Sequence, residues 1–152
     1  MRATNDRDVI PFEDGSFDLI LNRHGAFNAE EVARTLRPGG AFLPQQVDGQ
    51  NLSDLAAAFD VSYESEHTLQ NTIKRFRTLG FKITQSDETS CTNEFSDVGA
   101  IVYLLTAIPW IVPGFSVDSH VEYLQALQSR FEETGSLRFQ SRYFLLTALK
   151  PA

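Results

Sequence analysis

The chain has 152 residues, 42% of them hydrophobic and 22% charged, with a net charge of −7, the length and composition of a single globular domain with a substantial core. The acidic balance leaves no surplus of Lys and Arg to displace counterions from a nucleic-acid backbone or to hold an anionic membrane surface. Cys91 is the single cysteine, so no internal disulfide or multi-cysteine metal cage can form, and a reducing cytoplasm is the expected setting.

The polar start, MRATNDRDV, has no apolar core of the kind a signal peptide needs. Asp14-Gly15 predicts a sharp turn, with Phe12 and Phe17 covering apolar surface around it. FDLILNR (17–23) reads as a strand, and its near-continuous apolar run predicts burial on both faces, as in a parallel sheet. NAEEVARTLRPGG (28–40) predicts a helix capped by Asn28, with Glu30 and Glu31 at its positive end and Pro38-Gly39-Gly40 stopping it. AFLPQQV (41–47) is a second short strand, and LSDLAAAF (52–59) a short helix. HTLQNTIKRFRTLGF (67–81) is an amphipathic helix on Leu69, Ile73, Phe76 and Leu79, closed by Gly80. Phe81 and Ile83 lead from it into a strand.

SDVGAIVYLLTAIPW (96–110) predicts a largely buried helix capped by Ser96 or Asp97; its apolar run, 98–108, is too short to span a bilayer and stops at Pro109. SVDSHVEYLQALQSRFEETG (116–135) is a second helix, facing inward through Val121, Leu124, Leu127 and Phe131. RYFLLTALKP (142–151) ends the chain as a strand. Strands alternating with helices predict a layered α/β architecture.

This order and three local strings resemble the second half of a class I S-adenosylmethionine-dependent methyltransferase. IPFEDGSFDLIL resembles the segment leading into that family's fourth strand, ARTLRPGGAFL the helix–turn–strand leading into its fifth, and YFLLTALKP its last strand, which inserts antiparallel beside the fifth. The resemblance runs from near residue 5 to the C-terminus and implies one partial, truncated domain over 1–152. The implied architecture is a three-layer Rossmann-like fold with an antiparallel terminal strand and a helical insertion at 96–135 that could serve as a substrate lid. The family's glycine-rich cofactor loop has no counterpart here, since no GxGxG-type stretch occurs. Backbone amides at such a loop do most of the cofactor holding. The chain is therefore expected to bind S-adenosylmethionine weakly or not at all by itself, and to be inactive alone.

Asn22, Arg23 and His24 follow from the first strand's carboxyl end, where open α/β sheets bind ligands; the resemblance implies that this position lines the methyl-donor pocket. His24 is a candidate base on a substrate hydroxyl or amine, or else a loop-ordering hydrogen-bonder. Arg23 is a candidate carboxylate holder, or a partner in a structural ion pair. The resemblance also sets Asn5 and Asp6 beside the donor's adenine. Gln45 and Gln46 reach a substrate pocket or simply end a solvated strand. Trp110, with Pro109, Pro113 and Phe115, covers an apolar substrate or packs in the core. His67, His120 and Cys91 have no partners in sequence that would make a metal site or an activated nucleophile. A small-molecule acceptor, no nucleic acid and no membrane complete the expectation. With half the domain absent, strand 17–23 becomes a sheet edge, and a homodimer is expected. The alternative from another class is a non-catalytic module that oligomerises or binds a partner.

Overall fold

A computed structural model describes residues 9–62 and 65–152. In chain order the elements are β1 (Phe17–Arg23), α1 (Ala29–Thr35), β2 (Leu36–Val47), α2 (Ser53–Ala57), α3 (Leu69–Thr78), β3 (Lys82–Phe95), α4 (Val98–Ala107), a 3₁₀ turn (Asp118–His120), α5 (Val121–Thr134) and β4 (Leu137–Leu149). The strands form one sheet in the order β1-β2-β4-β3. β1 and β2 are parallel, and the terminal β4 runs antiparallel beside β2. Side-chain bonds from Thr84 to Thr147, between Thr92 and Gln140 and between Glu94 and Arg138 follow opposite directions along β3 and β4.

Two compact units divide the chain. The first holds residues up to Gly49, Glu66–Thr89 and Tyr143–Ala152; the second holds Gln50–Ser65 and Ser90–Arg142.

In the first unit, the turn before β1 forms as its residues demand. Gly15 takes φ +66, which costs a glycine little, and its N–H bonds the Arg34 carbonyl at 3.0 Å. The Phe12 and Phe17 rings meet edge to face at 4.9 Å. Arg34 fastens this segment to α1. Its guanidinium donates to the carbonyls of Ile10 and Phe12, to Asp14 at 2.7 Å and to both carboxylate oxygens of Glu31.

α1 opens on Asn28, whose side-chain oxygen accepts from the N–H groups of Glu30 and Glu31, satisfying two of the donors a helix start leaves without partners. Its other end is closed from a distance: Lys150 Nζ donates to the carbonyls of Ala33 and Leu36, both at 2.7 Å, placing a cation at the helix's negative end. The core of this unit joins Val32 of α1, Ile73 and Phe76 of α3, Phe42 of β2 and Phe144, Leu146 and Ala148 of β4.

α1 ends at Thr35, and Leu36 already has extended backbone. Pro38-Gly39-Gly40 therefore lies within β2, where the sequence pattern predicted a helix end and the strand began only at 41. The β1–β2 register steps from Phe17–Leu36 to Leu19–Ala41, so Asp18 alone stands opposite the stretch from Arg37 to Gly40. Gly39 takes φ +78 to make that excursion, and a Cβ on Gly40 would lie 2.9 Å from the Arg37 carbonyl oxygen and 3.1 Å from that of Asp18.

The expected two-sided burial of β1 is also corrected. Successive strand residues face opposite sides, and only the face bearing Ile20, Phe42, Phe144, Leu146 and Ala148 packs into this core. On the other face Leu19 is 48%, Leu21 69% and Leu145 36% exposed.

In the second unit, Leu55 and Phe59, Ile101 and Leu105 of α4, Ile111 and Val112, Leu127 of α5 and Leu137 and Phe139 of β4 form a separate core. Asp97, not Ser96, caps α4, its carboxylate accepting from Ala100 N–H at 2.8 Å. The predicted helix at 116–135 begins as the 3₁₀ turn and becomes α-helical from Val121, closing on Gly135 at φ +75. β3 runs on through the polar stretch QSDETSCTNE and β4 begins at Leu137. The β3 extension does not show in the pattern, because an exposed strand carries no apolar alternation to read; the start of β4 does alternate, Leu137, Phe139 and Ser141 being buried and Arg138 and Arg142 exposed.

Candidate functional site

Because β1 and β2 are parallel, their carboxyl ends emerge side by side, with Asn22 paired to Pro44 and Arg23 to Gln45. The chain then leaves β1 at His24 with φ +53, an uncommon value for a residue with a side chain. The His24 N–H donates to the Gln45 carbonyl at 2.9 Å. Gln46 secures the turn from the neighbouring strand: its Nε2 donates to Asn22 Oδ1 and to the Gly25 carbonyl. The fold thus brings together five sequence-predicted residues, Asn22, Arg23, His24, Gln45 and Gln46, at one end of two adjacent strands.

A sixth residue joins them without having been anticipated. The ring of Tyr143 stacks on that of His24 with 5.6 Å between centroids and 13° between planes. Tyr143 stands opposite Val47, at the end of β2, on the antiparallel β4. A signal for it existed: an antiparallel last strand must begin where its parallel neighbour ends, so an aromatic near the start of RYFLLTALKP falls at this end of the sheet.

The chemistry of the cluster follows from what is engaged and what is not. The Asn22 and Gln46 amides hold each other and the turn. Arg23 is exposed and has no ion pair among the described residues, leaving a planar five-donor fork suited to a carboxylate. The His24 ring has no hydrogen-bond partner among the described residues and is steadied by stacking alone, so its nitrogens are open to a substrate proton. A concavity before β1, lined by Ile10, Phe12, Glu13 and Arg34, is a different matter. It is an open trough, and Arg34 is already committed to Glu31 and Asp14, which hold its guanidinium well above the ordinary arginine pKa.

Other candidates fall elsewhere. Asn5 and Asp6 lie outside the described residues. Trp110 belongs to the second unit and is 67% exposed in the turn after α4. It therefore packs in no core, whereas Phe115 lies against Phe59. His120 of the same unit sits among Phe59, Phe115 and Tyr123, its Nδ1 beside Ser116 and Ser119. Among the described residues, no group of three or more His, Cys, Asp or Glu converges as a metal site.

A sulfonium nucleoside donor would be met here on one side only. Arg23 offers donors for a carboxylate, but the His24 N–H is taken by Gln45, and the glycine-rich turn that would cradle the donor's carboxylate and ribose has no GxGxG-type counterpart in the sequence. The residues present do not by themselves fit the whole group.

A scan of protein-family models finds no match, and a search of curated proteins finds none. Solved structures do match. A Bacillus halodurans protein assigned as a methyltransferase aligns over 94% of this chain and 68% of its own at 15% identity, with a TM-score of 0.60. The YcgJ protein of Bacillus subtilis aligns over 95% of this chain and 68% of its own at 20% identity, with a TM-score of 0.54. A geranyl diphosphate methyltransferase in complex with SAM scores 0.46 at 16% identity over 93% of this chain and 54% of its own, too distant to bear on the site. Identities this low establish the fold and nothing finer: it is the mixed α/β, Rossmann-like fold of class I methyltransferases, with the antiparallel terminal strand. Among the described residues, no helix is long and apolar enough to cross a membrane.

Proposed function

We propose that this chain carries the acceptor side of a methyl-transfer site, as the C-terminal portion of an S-adenosylmethionine-dependent methyltransferase acting on a small molecule in the cytoplasm, and that it is a homodimer. The observation that supports this reading is the convergence of Asn22, Arg23, His24, Gln45 and Gln46 at the carboxyl ends of β1 and β2, the position at which open α/β sheets hold ligands. When bound, the donor supplies an electrophilic methyl group. The residues of this chain then position rather than react: Arg23 orients a carboxylate, Asn22 and Gln46 hold the turn, and His24 takes the proton released by a hydroxyl or amine acceptor. Bringing donor and acceptor together accounts for much of the rate in such a displacement. Trp110 remains a candidate substrate contact in the 96–135 insertion, and Asn5 and Asp6 candidate adenine contacts.

Alone, the chain binds S-adenosylmethionine weakly or not at all and is inactive, for want of the glycine-rich cofactor loop. Calorimetry and amide NMR test both parts. The expected result is no micromolar binding, with shifts at high donor concentration confined to residues 22–25 and 45–46. Micromolar binding overturns the weak-binding statement, and shifts confined to other residues overturn the site. A non-catalytic partner-binding module is the second reading, favoured by the 69% exposure of Leu21 on β1.

A further inference from the structure

We propose that the acceptor bound at this site is a small hydroxy carboxylate, held on one face of the sheet by Arg23, Gln45 and His24, with Tyr143 as the residue that positions His24. The inference deepens the preceding reading by naming the acceptor's chemical class; it rests on the site assigned there, but on no step of methyl transfer.

The strand pleat divides the cluster. Successive residues of a strand point to opposite faces. Gln46 stands opposite Phe144, and Gln45 opposite Leu145. Phe144 packs with Ile20, Phe42, Val32 of α1 and Phe76 of α3, so Asn22 and Gln46 lie on the helix-covered face, bonded to each other. Arg23, paired with Gln45, shares the other face with it. Tyr143, opposite Val47, belongs to that face too.

His24 reaches the same face through its backbone. Continued alternation would send residue 24 back to the side of Asn22. At φ +53 the alternation ends, and the ring meets Tyr143 instead. A glycine takes such a φ at little cost, and the chain places one at the next position, Gly25. The turn itself is secured without the imidazole, because the His24 backbone N–H donates to the Gln45 carbonyl. Strain kept for a side chain that the turn does not need is a feature of binding and catalytic positions.

Complementary groups are thereby gathered at one strand end. Arg23 presents a planar fork to a carboxylate. His24, one Cα step of about 3.8 Å away, can accept a hydrogen bond from a hydroxyl at a ring nitrogen. Gln45 is exposed on the adjoining strand, and its side-chain amide both donates and accepts. One small molecule carrying a carboxylate and a hydroxyl satisfies all three. A free aliphatic amine fits less well, since it is protonated near neutrality and sets a second cation beside Arg23.

NMR titrations of the chain with glycolate and with acetate test this. Glycolate is expected to shift the Arg23 side-chain N–H, the Gln45 amide and the His24 ring protons together. It should bind about threefold or more tightly than acetate, which lacks the hydroxyl. Nuclear Overhauser contacts should run from the glycolate methylene to the Tyr143 ring and not to Phe144. Arg23→Gln should weaken both ligands about tenfold. Tyr143→Leu should erase the advantage of glycolate while the Arg23 N–H still responds, and Tyr143→Phe should keep it. Equal affinity for the two ligands, a response without Arg23 or His24, or an undiminished advantage in Tyr143→Leu overturns the inference. The comparison of ligands needs no variant, so it decides even where a variant fails to fold. If glycolate fails while S-adenosylmethionine still shifts residues 22–25 and 45–46, this inference falls and the preceding site stands. If glycolate behaves as expected and the donor shifts only other residues, the donor's place falls and the acceptor face stands.

Discussion

The rings of His24 and Tyr143 lie nearly parallel, 13° apart in plane and 5.6 Å between centroids, joining the turn after β1 to the start of the last strand's pairing with β2. Among the described residues the stack is what steadies the His24 side chain, so replacing Tyr143 by Ala should free the imidazole. The expected result in NMR is loss of the ring-current shift on the His24 carbon-bound protons, with a stability loss of about 1 kcal/mol. Tyr143→Phe should preserve both. Unchanged His24 resonances in the alanine variant would show that the stack does not hold the ring.

Asn22 and Gln46 are expected to behave as one unit. Gln46→Ala removes the donor that serves both Asn22 Oδ1 and the Gly25 carbonyl, and should cost about 1 kcal/mol while speeding amide exchange over 24–27. Asn22→Ala should cost a similar amount. In a double-mutant cycle the pair should lose less than the sum of the single losses; simple additivity, measured by urea unfolding, would sink the coupling.

The two glycines of the β2 excursion should fail for different reasons. Gly40→Ala drives a methyl into backbone carbonyl oxygens at 2.9 and 3.1 Å, which cannot yield as a side-chain tip can; a loss of about 1–3 kcal/mol is expected. Gly39→Ala meets open space but must keep φ +78, at a cost of about 1–2 kcal/mol. A crystal structure of Gly40→Ala should show β2 displaced from Asp18, and one of Gly39→Ala should not. The reverse outcome would reject this assignment.

Acid should weaken the first unit through two carboxylates of α1. A hydrogen bond from Arg75, then one from the backbone, lowers the Glu30 pKa; a hydrogen bond from Arg34 is the main cause of the lowering at Glu31. Both folded values lie below the ordinary 4.5, so these groups contribute stability above that pH and lose it as pH falls through the folded values. The urea midpoint should therefore hold near neutrality and drop below about pH 4.5. The double variant Glu30→Gln/Glu31→Gln should start lower and drop less. An identical acid profile for both proteins would assign the acid sensitivity to other groups.

Local chemistry determined much of this molecule. The Asn28 cap, the Asp14-Gly15 turn, the apolar stripe of α3 and the alternation of strands and helices depend on neighbours a few residues away, and each stood in the sequence as the structure has it. The residues at the end of β1 could be chosen because a strand end is a local property and its use as a binding position is general to parallel sheets. The tertiary structure decided the rest. Pro38-Gly39-Gly40 reads as a stop for any helix, and only pairing with β1 shows it as a bulge inside β2. The length of β3 was hidden because an edge strand bathed in water has no burial pattern to impose. The exposure of Leu19 and Leu21 depends on which helices pack where, and the composition of FDLILNR is the same whether one face is covered or two. The meeting of His24 with Tyr143 needs an antiparallel strand returning from far along the chain, a contact that no short-range periodicity encodes.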